Sequence, residues 1–111
     1  YILIAVPNPE SYDAIKYGTS WAGWDVPRHL YHSNQPALES FGHIFDLQLV
    51  KKMQRNFDSY YVSLLSEGYT NPKHSIIQKY GKATLAGRKS NKEAAKTTGN
   101  HSSNLFVFKK K

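Results

Sequence analysis

Ten of the fifteen lysines and arginines in this 111-residue chain lie after residue 69, and that partition constrains the fold more than any other feature. Residues 1 to 69 carry five cations (Lys16, Arg28, Lys51, Lys52, Arg55) against seven carboxylates (Glu10, Asp13, Asp25, Glu39, Asp46, Asp58, Glu67), a net of −2. Residues 70 to 111 carry ten cations and Glu93 alone, a net of +9, and the two parts sum to the chain's +7. Lysine and arginine are almost never fully buried unless paired. The second part must therefore present most of its charge to solvent, and the first part holds both tryptophans. The pattern predicts one domain over 1–111, with a roughly neutral packed body at 1–69 and a basic segment at 70–111.

Several classes fall away. With no cysteine there is no disulfide, thiolate zinc site or cysteine nucleophile. An apolar content of 40% is enough to fold. The longest apolar run, Tyr1–Val6, is far short of the ~20 residues a membrane span needs, so a membrane is not among the predicted partners. The visible chain shows no signal peptide and starts at Tyr1, which points to a segment of a longer protein and, with the lack of cysteine, to an intracellular setting.

Local patterns give a coarse map. Tyr1–Val6 reads as a strand buried on both faces, or a short edge strand at a chain end. Asn8-Pro9 reads as a helix start, with the helix running to Tyr17 and stopping at Gly18. The same signals return in Asn71-Pro72 and Lys79-Tyr80-Gly81, five identities at equal spacing, which predicts a second helix ending at Gly81. Residues 44–49 alternate like a half-buried strand, although a long helix from Pro36 also fits. From Val50 onward, Val50, Met53, Phe57, Tyr61, Leu64 and Leu65 fall on one helical face and predict a core-facing helix ending at Gly68. Ser90 with Glu93 has the form of a capping box for a short helix, and Leu105–Phe108 that of a strand before a solvated Lys109–Lys111. The expected fold is α+β: a small single domain whose few-stranded sheet, with strands near both termini, packs on two to four helices.

Three constellations bear on chemistry. Lys73, Lys79, Lys82, Arg88, Lys89, Lys92 and Lys96 recur among Tyr80, Ser90, Asn91, Thr97 and Thr98. Long cations mixed with short hydroxyls and amides are what phosphate recognition requires. Trp21 and Trp24, near Arg28, His29 and Tyr31, could stack a base, against the plainer reading of one core plug and one edge shield. His29-x-x-His32 near Asp25 and His43 has a spacing that a divalent ion could use. Without an HExxH pattern it is read as surface histidine, with no metal and no cofactor.

The leading expectation is a nucleic-acid-binding domain, RNA slightly ahead of DNA, using Lys73, Lys79, Tyr80, Lys82, Arg88, Lys89, Lys92 and Lys96 with Trp21 and Trp24 as stacking surfaces. Two alternatives share the same cations. In one, His101 and His74 are the acid and base of a metal-independent ribonuclease. In size, charge and lack of cysteine the chain is similar to the nuclease domains of bacterial toxins. In the other, the basic surface docks an acidic protein.

Overall fold

The two apolar runs nearest the chain ends become neighbouring strands. β1 (Ile2–Pro7) pairs antiparallel with β3 (Ser103–Lys110), from Ile2 opposite Phe108 to Pro7 opposite Ser103. β2 (Leu47–Gln54) takes the other side of β3, also antiparallel, with a bulge between Leu49 and Lys51. The structure, a computed structural model, describes residues 1–96 and 99–111. Thr97 and Thr98, noted above among the phosphate-type side chains, lie outside the described residues.

The order β1-β3-β2 makes the first run an edge strand. Burial on both faces therefore does not hold: Leu3 is 63% exposed, while Ile4 and Val6 turn inward. β3 is longer than its apolar stretch because Ser103 and Asn104 pair with Pro7 and Val6, and Lys109 and Lys110 with Gln48 and Leu47.

The ambiguous middle resolves into both readings in succession. Asn34 accepts a hydrogen bond from the Ala37 amide at 3.1 Å and caps α2 (Gln35–Ile44), which carries Pro36 in its first turn. Asp46, at φ 54°, turns the chain into β2. Val50 and Met53 thus belong to a strand, and the helix predicted from Val50 begins only at Asn56. α2 covers one face of the sheet through Leu38, which packs with Leu47, Phe106, Phe108 and the partly buried Ile4, Val6 and Leu49.

A second cluster holds the helices together. Asn8 does not cap the first helix; its backbone carbonyl and side chain accept from Ser11 N (3.2 Å) and Glu10 N (3.1 Å), and the turn passes the cap to Ser11. The Ser11 hydroxyl accepts from Ala14 N at 3.3 Å, and α1 (Tyr12–Tyr17) ends at Gly18 with φ 53°. Two short 3-10 turns follow, then Ala14, Tyr17, Trp21 and Ala86 pack with Trp24 and Val62.

Asp13 joins the layers: its fully buried carboxyl accepts from Trp21 Nε1 (2.9 Å), Ser90 Oγ (2.7 Å) and Ser102 Oγ (2.7 Å). Those contacts tie α1 to the aromatic turn, to the helix that carries Ser90 and to the residue before β3. Three donors on one buried acceptor meet the condition under which a buried polar group is tolerated.

α3 (Asn56–Thr70) is turned over relative to expectation. Its buried residues are Ser59, Ser63, Ser66 and Glu67, whereas Phe57 is 88%, Tyr61 66% and Tyr69 66% exposed. The reason lies in α4 (Ile76–Lys96), which runs straight through Gly81 and Ser90 as one 21-residue helix. Its buried stripe is Ala83, Ala86, Gly87, Ser90 and Ala94. Small side chains on both helices allow their backbones to approach closely. A Cβ on Gly87 would lie 2.7 Å from Tyr60 Cδ1 and 3.0 Å from Tyr60 Cα. Ser59 Oγ donates to Gly87 O at 3.3 Å. Bulky residues would hold the helices apart, so they turn outward. The described residues form a small α+β domain of three antiparallel strands and four helices.

Candidate nucleic-acid interface

α4 is built for one-sided use. Ser75 and Gln78 cap its start reciprocally, Gln78 N donating to Ser75 Oγ (3.3 Å) and Ser75 N to Gln78 Oε1 (3.1 Å). With the small stripe buried, the 100° step per residue sends the cations to the other side. Lys82, Arg88, Lys89, Lys92 and Lys96 are all exposed. Salt bridges in the structure engage cations of the body, as in Arg28–Asp25 at 2.8 Å and Arg55–Asp58 at 3.4 Å. Among the described residues no carboxylate pairs with Lys82, Arg88, Lys92 or Lys96.

The predicted set does not gather on one face. Lys82, Lys89 and Lys96, seven residues apart, form a flank on the side of α1, where Lys89 Nζ sits 5.0 Å from the centre of the Tyr12 ring. Arg88 and Lys92 point away from α1. Lys73 is exposed in the turn before α4, and Lys79 is partly buried with its ammonium donating to Pro72 O at 3.0 Å. Tyr80 is 57% exposed but lies on the α3 side of the helix, away from the lysine flank.

The tryptophan loop is structural. Trp21 is 2% exposed and hydrogen-bonded to Asp13, so it has no face free for a base. Trp24 donates to Gly18 O at 2.7 Å and meets Trp21 edge-on at 5.1 Å and His32 at 4.9 Å. His29 Nδ1 lies 3.2 Å from Asp25 Oδ2, and His32 Nε2 contacts Trp24 O at 2.7 Å. Among the described residues, no three His, Asp or Glu side chains gather where they could hold a metal.

His74 and His101 stand far apart. Ser102 lies beside Ser90, their hydroxyl oxygens 3.4 Å apart, and Ser90 is 14 residues along α4 from Ile76. At 1.5 Å per residue that is about 20 Å, with His74 beyond the helix start. His101 is 2% exposed; burial first, then the positive charge of Lys52, holds its imidazole below the usual pKa.

Lys52 carries no site signal in the sequence. It donates to Gln35 Oε1 at 3.0 Å, and burial lowers its pKa against the opposing pull of Glu39. Together with Asn8, Asn34, Asn100 and Asn104 it lines a narrow polar cleft beside the start of α2. No pattern in the chain foretells this cleft, because the turn after β1, the cap of α2, β2 and the approach to and start of β3 supply its residues separately. The spacing of Phe57 and Tyr61 predicts a core-facing stripe, whereas the structure exposes both rings. The serines at 59, 63 and 66 lie on the opposite face of that helix, and only its close packing on α4 makes that face the buried one.

No family model matches this chain, and no curated protein or solved structure matches it. No helix among the described residues is long and apolar enough to cross a membrane.

Proposed function

We propose that this domain binds nucleic acid through the outward side of α4. One observation carries the reading: five exposed cations lie along a single continuous helix whose packing uses only small residues. None of the five is part of the buried stripe, so the charge is not needed for the fold. Unpaired cations along a rigid element concentrate positive potential where phosphates can collect. Binding is favoured over cleavage, because a His74–His101 acid–base pair would have to span about 20 Å.

The test is incubation of the protein with a labelled mixed-sequence RNA in EDTA, run on native and denaturing gels. A shifted, intact RNA is the expected result. Fragments that vanish in His101→Ala would replace this reading with a ribonuclease. Absence of both shift and fragments would leave the acidic protein partner.

A further inference from the structure

The α3–α4 hairpin has one side packed on α1 and the 3-10 turns, and one side open. On α4, Ala86 and Ser90 face α1, and Gly87 and Asn91 face α3, where Asn91 Nδ2 donates to Asn56 O at 3.0 Å. On α3, Ser66 faces the aromatic turn, accepting from Ala22 N at 2.8 Å, and Tyr60 faces α4. Stepping 100° per residue from these anchors places Phe57 and Tyr61 on the open side of α3, and Arg88 and Lys92 on the open side of α4. The anchors also fix the level. Asn56 lies opposite Asn91 and Tyr60 opposite Gly87, so Arg88 lies level with Ser59, midway between Phe57 and Tyr61.

We propose that the ligand of this face is a single-stranded stretch of nucleic acid, with a base stacked on each of Phe57 and Tyr61, the phosphate between them on Arg88, and the next phosphate, beyond Phe57, on Lys92, which the same register places level with Arg55. The inference rests on the nucleic-acid reading above and narrows its substrate class. Four residues of helix rise about 6 Å. That is nearly twice the ~3.4 Å per nucleotide along a duplex strand. The aromatic spacing therefore suits bases pulled out of a stack. Rings 88% and 66% exposed offer their faces to such bases, and stacking on aromatic side chains beside a cationic track is how unpaired strands are held without sequence preference. A duplex keeps its base faces covered and would meet only the cations.

Anisotropy titrations with a short labelled single-stranded RNA, the same sequence as single-stranded DNA, and its duplex separate the possibilities. Both single strands are expected to bind more tightly than the duplex, since neither stacking nor phosphate contact uses the 2′-hydroxyl. Phe57→Ala and Tyr61→Ala should each weaken single-strand binding about tenfold and leave duplex binding unchanged, while Phe57→Trp should retain it. Both positions are exposed, and circular dichroism melting checks that each variant folds. Equal affinity for duplex and single strand, or alanine variants that bind like the parent, would overturn the stacking proposal and leave the electrostatic reading standing. Failure of the parent protein to bind any of the three would overturn both.

Discussion

The segments Asn8–Gly18 and Asn71–Gly81 begin and end with the same residues and fold alike only at their starts. Each Asn-Pro makes a turn and passes the cap to a serine, Ser11 in one case and Ser75 in the other. Their ends diverge. After Lys16-Tyr17 the chain stops at Gly18, with φ 53° and Tyr17 anchored to Glu67 at 2.9 Å. Burial, then the neighbouring Glu67 carboxylate, holds the Tyr17 phenol protonated well above its usual range. After Lys79-Tyr80 the helix passes through Gly81, where an added Cβ would meet open space, and runs another fifteen residues to Lys96. Helix starts here are decided locally, because caps satisfy orphan amides within one turn. Where a helix stops is decided by what its next turns can bury. α4 continues because Ala83, Ala86, Gly87, Ser90 and Ala94 supply a seam for α3 and α1.

The comparison is most easily broken at the seam. Gly87→Leu should destabilise the protein by about 3 kcal/mol in chemical denaturation, since even a Cβ there meets the Tyr60 backbone. A stability unchanged by that substitution would mean that the close approach of α3 and α4 is not what prolongs α4.

The two glycines should then respond with opposite signs. Gly18→Ala is expected to cost about 1–2 kcal/mol because of its positive φ. Gly81→Ala, in an exposed helix interior with free space around it, should stabilise by about 0.5–1 kcal/mol. Losses at both positions would show that Gly81 carries a constraint of its own.

A finer contrast lies beyond the end of α4, where buried His101 sits in the positive field of Lys52. Its imidazole is held below the usual value in the folded state, so the unfolded chain binds the proton more readily. Stability from this group is fully present above about pH 6.5 and is lost as pH falls below that value towards the folded pKa. Thermal melts across that window should show the decline, and His101→Gln should flatten it. A decline of the same size in the variant would assign it to other groups.

How much of this the sequence revealed follows the same division. The α+β class and the strands near both termini rest on local pattern, and the cationic identity of α4 rests on charge counting; the Asn-Pro signals mark the helix starts to within a few residues, but the caps themselves are Ser11 and Ser75. Three features escaped. Phe57, Tyr61 and Leu65 have the spacing of a buried stripe, and nothing local says that Ser59, Ser63 and Ser66 win the interior by permitting closer packing. The continuity of α4 was hidden for a related reason. Ser90 looks like a cap until Asp13, 77 residues earlier in the chain, takes its hydroxyl. The Lys52 cleft combines residues from separate elements, which periodicity within one element does not report.

The most direct test of the account is the salt dependence of binding to a single-stranded oligonucleotide, for the parent protein and for a variant with Lys82, Arg88, Lys92 and Lys96 all changed to Gln. If about four phosphates are neutralised, the parent's log affinity should fall against log salt with a slope near −3, at roughly −0.7 per phosphate. The folded variant should bind weakly, with a slope near zero. A flat response in the parent, or an equal slope in the variant, would contradict the claim that the outward side of α4 is a nucleic-acid surface.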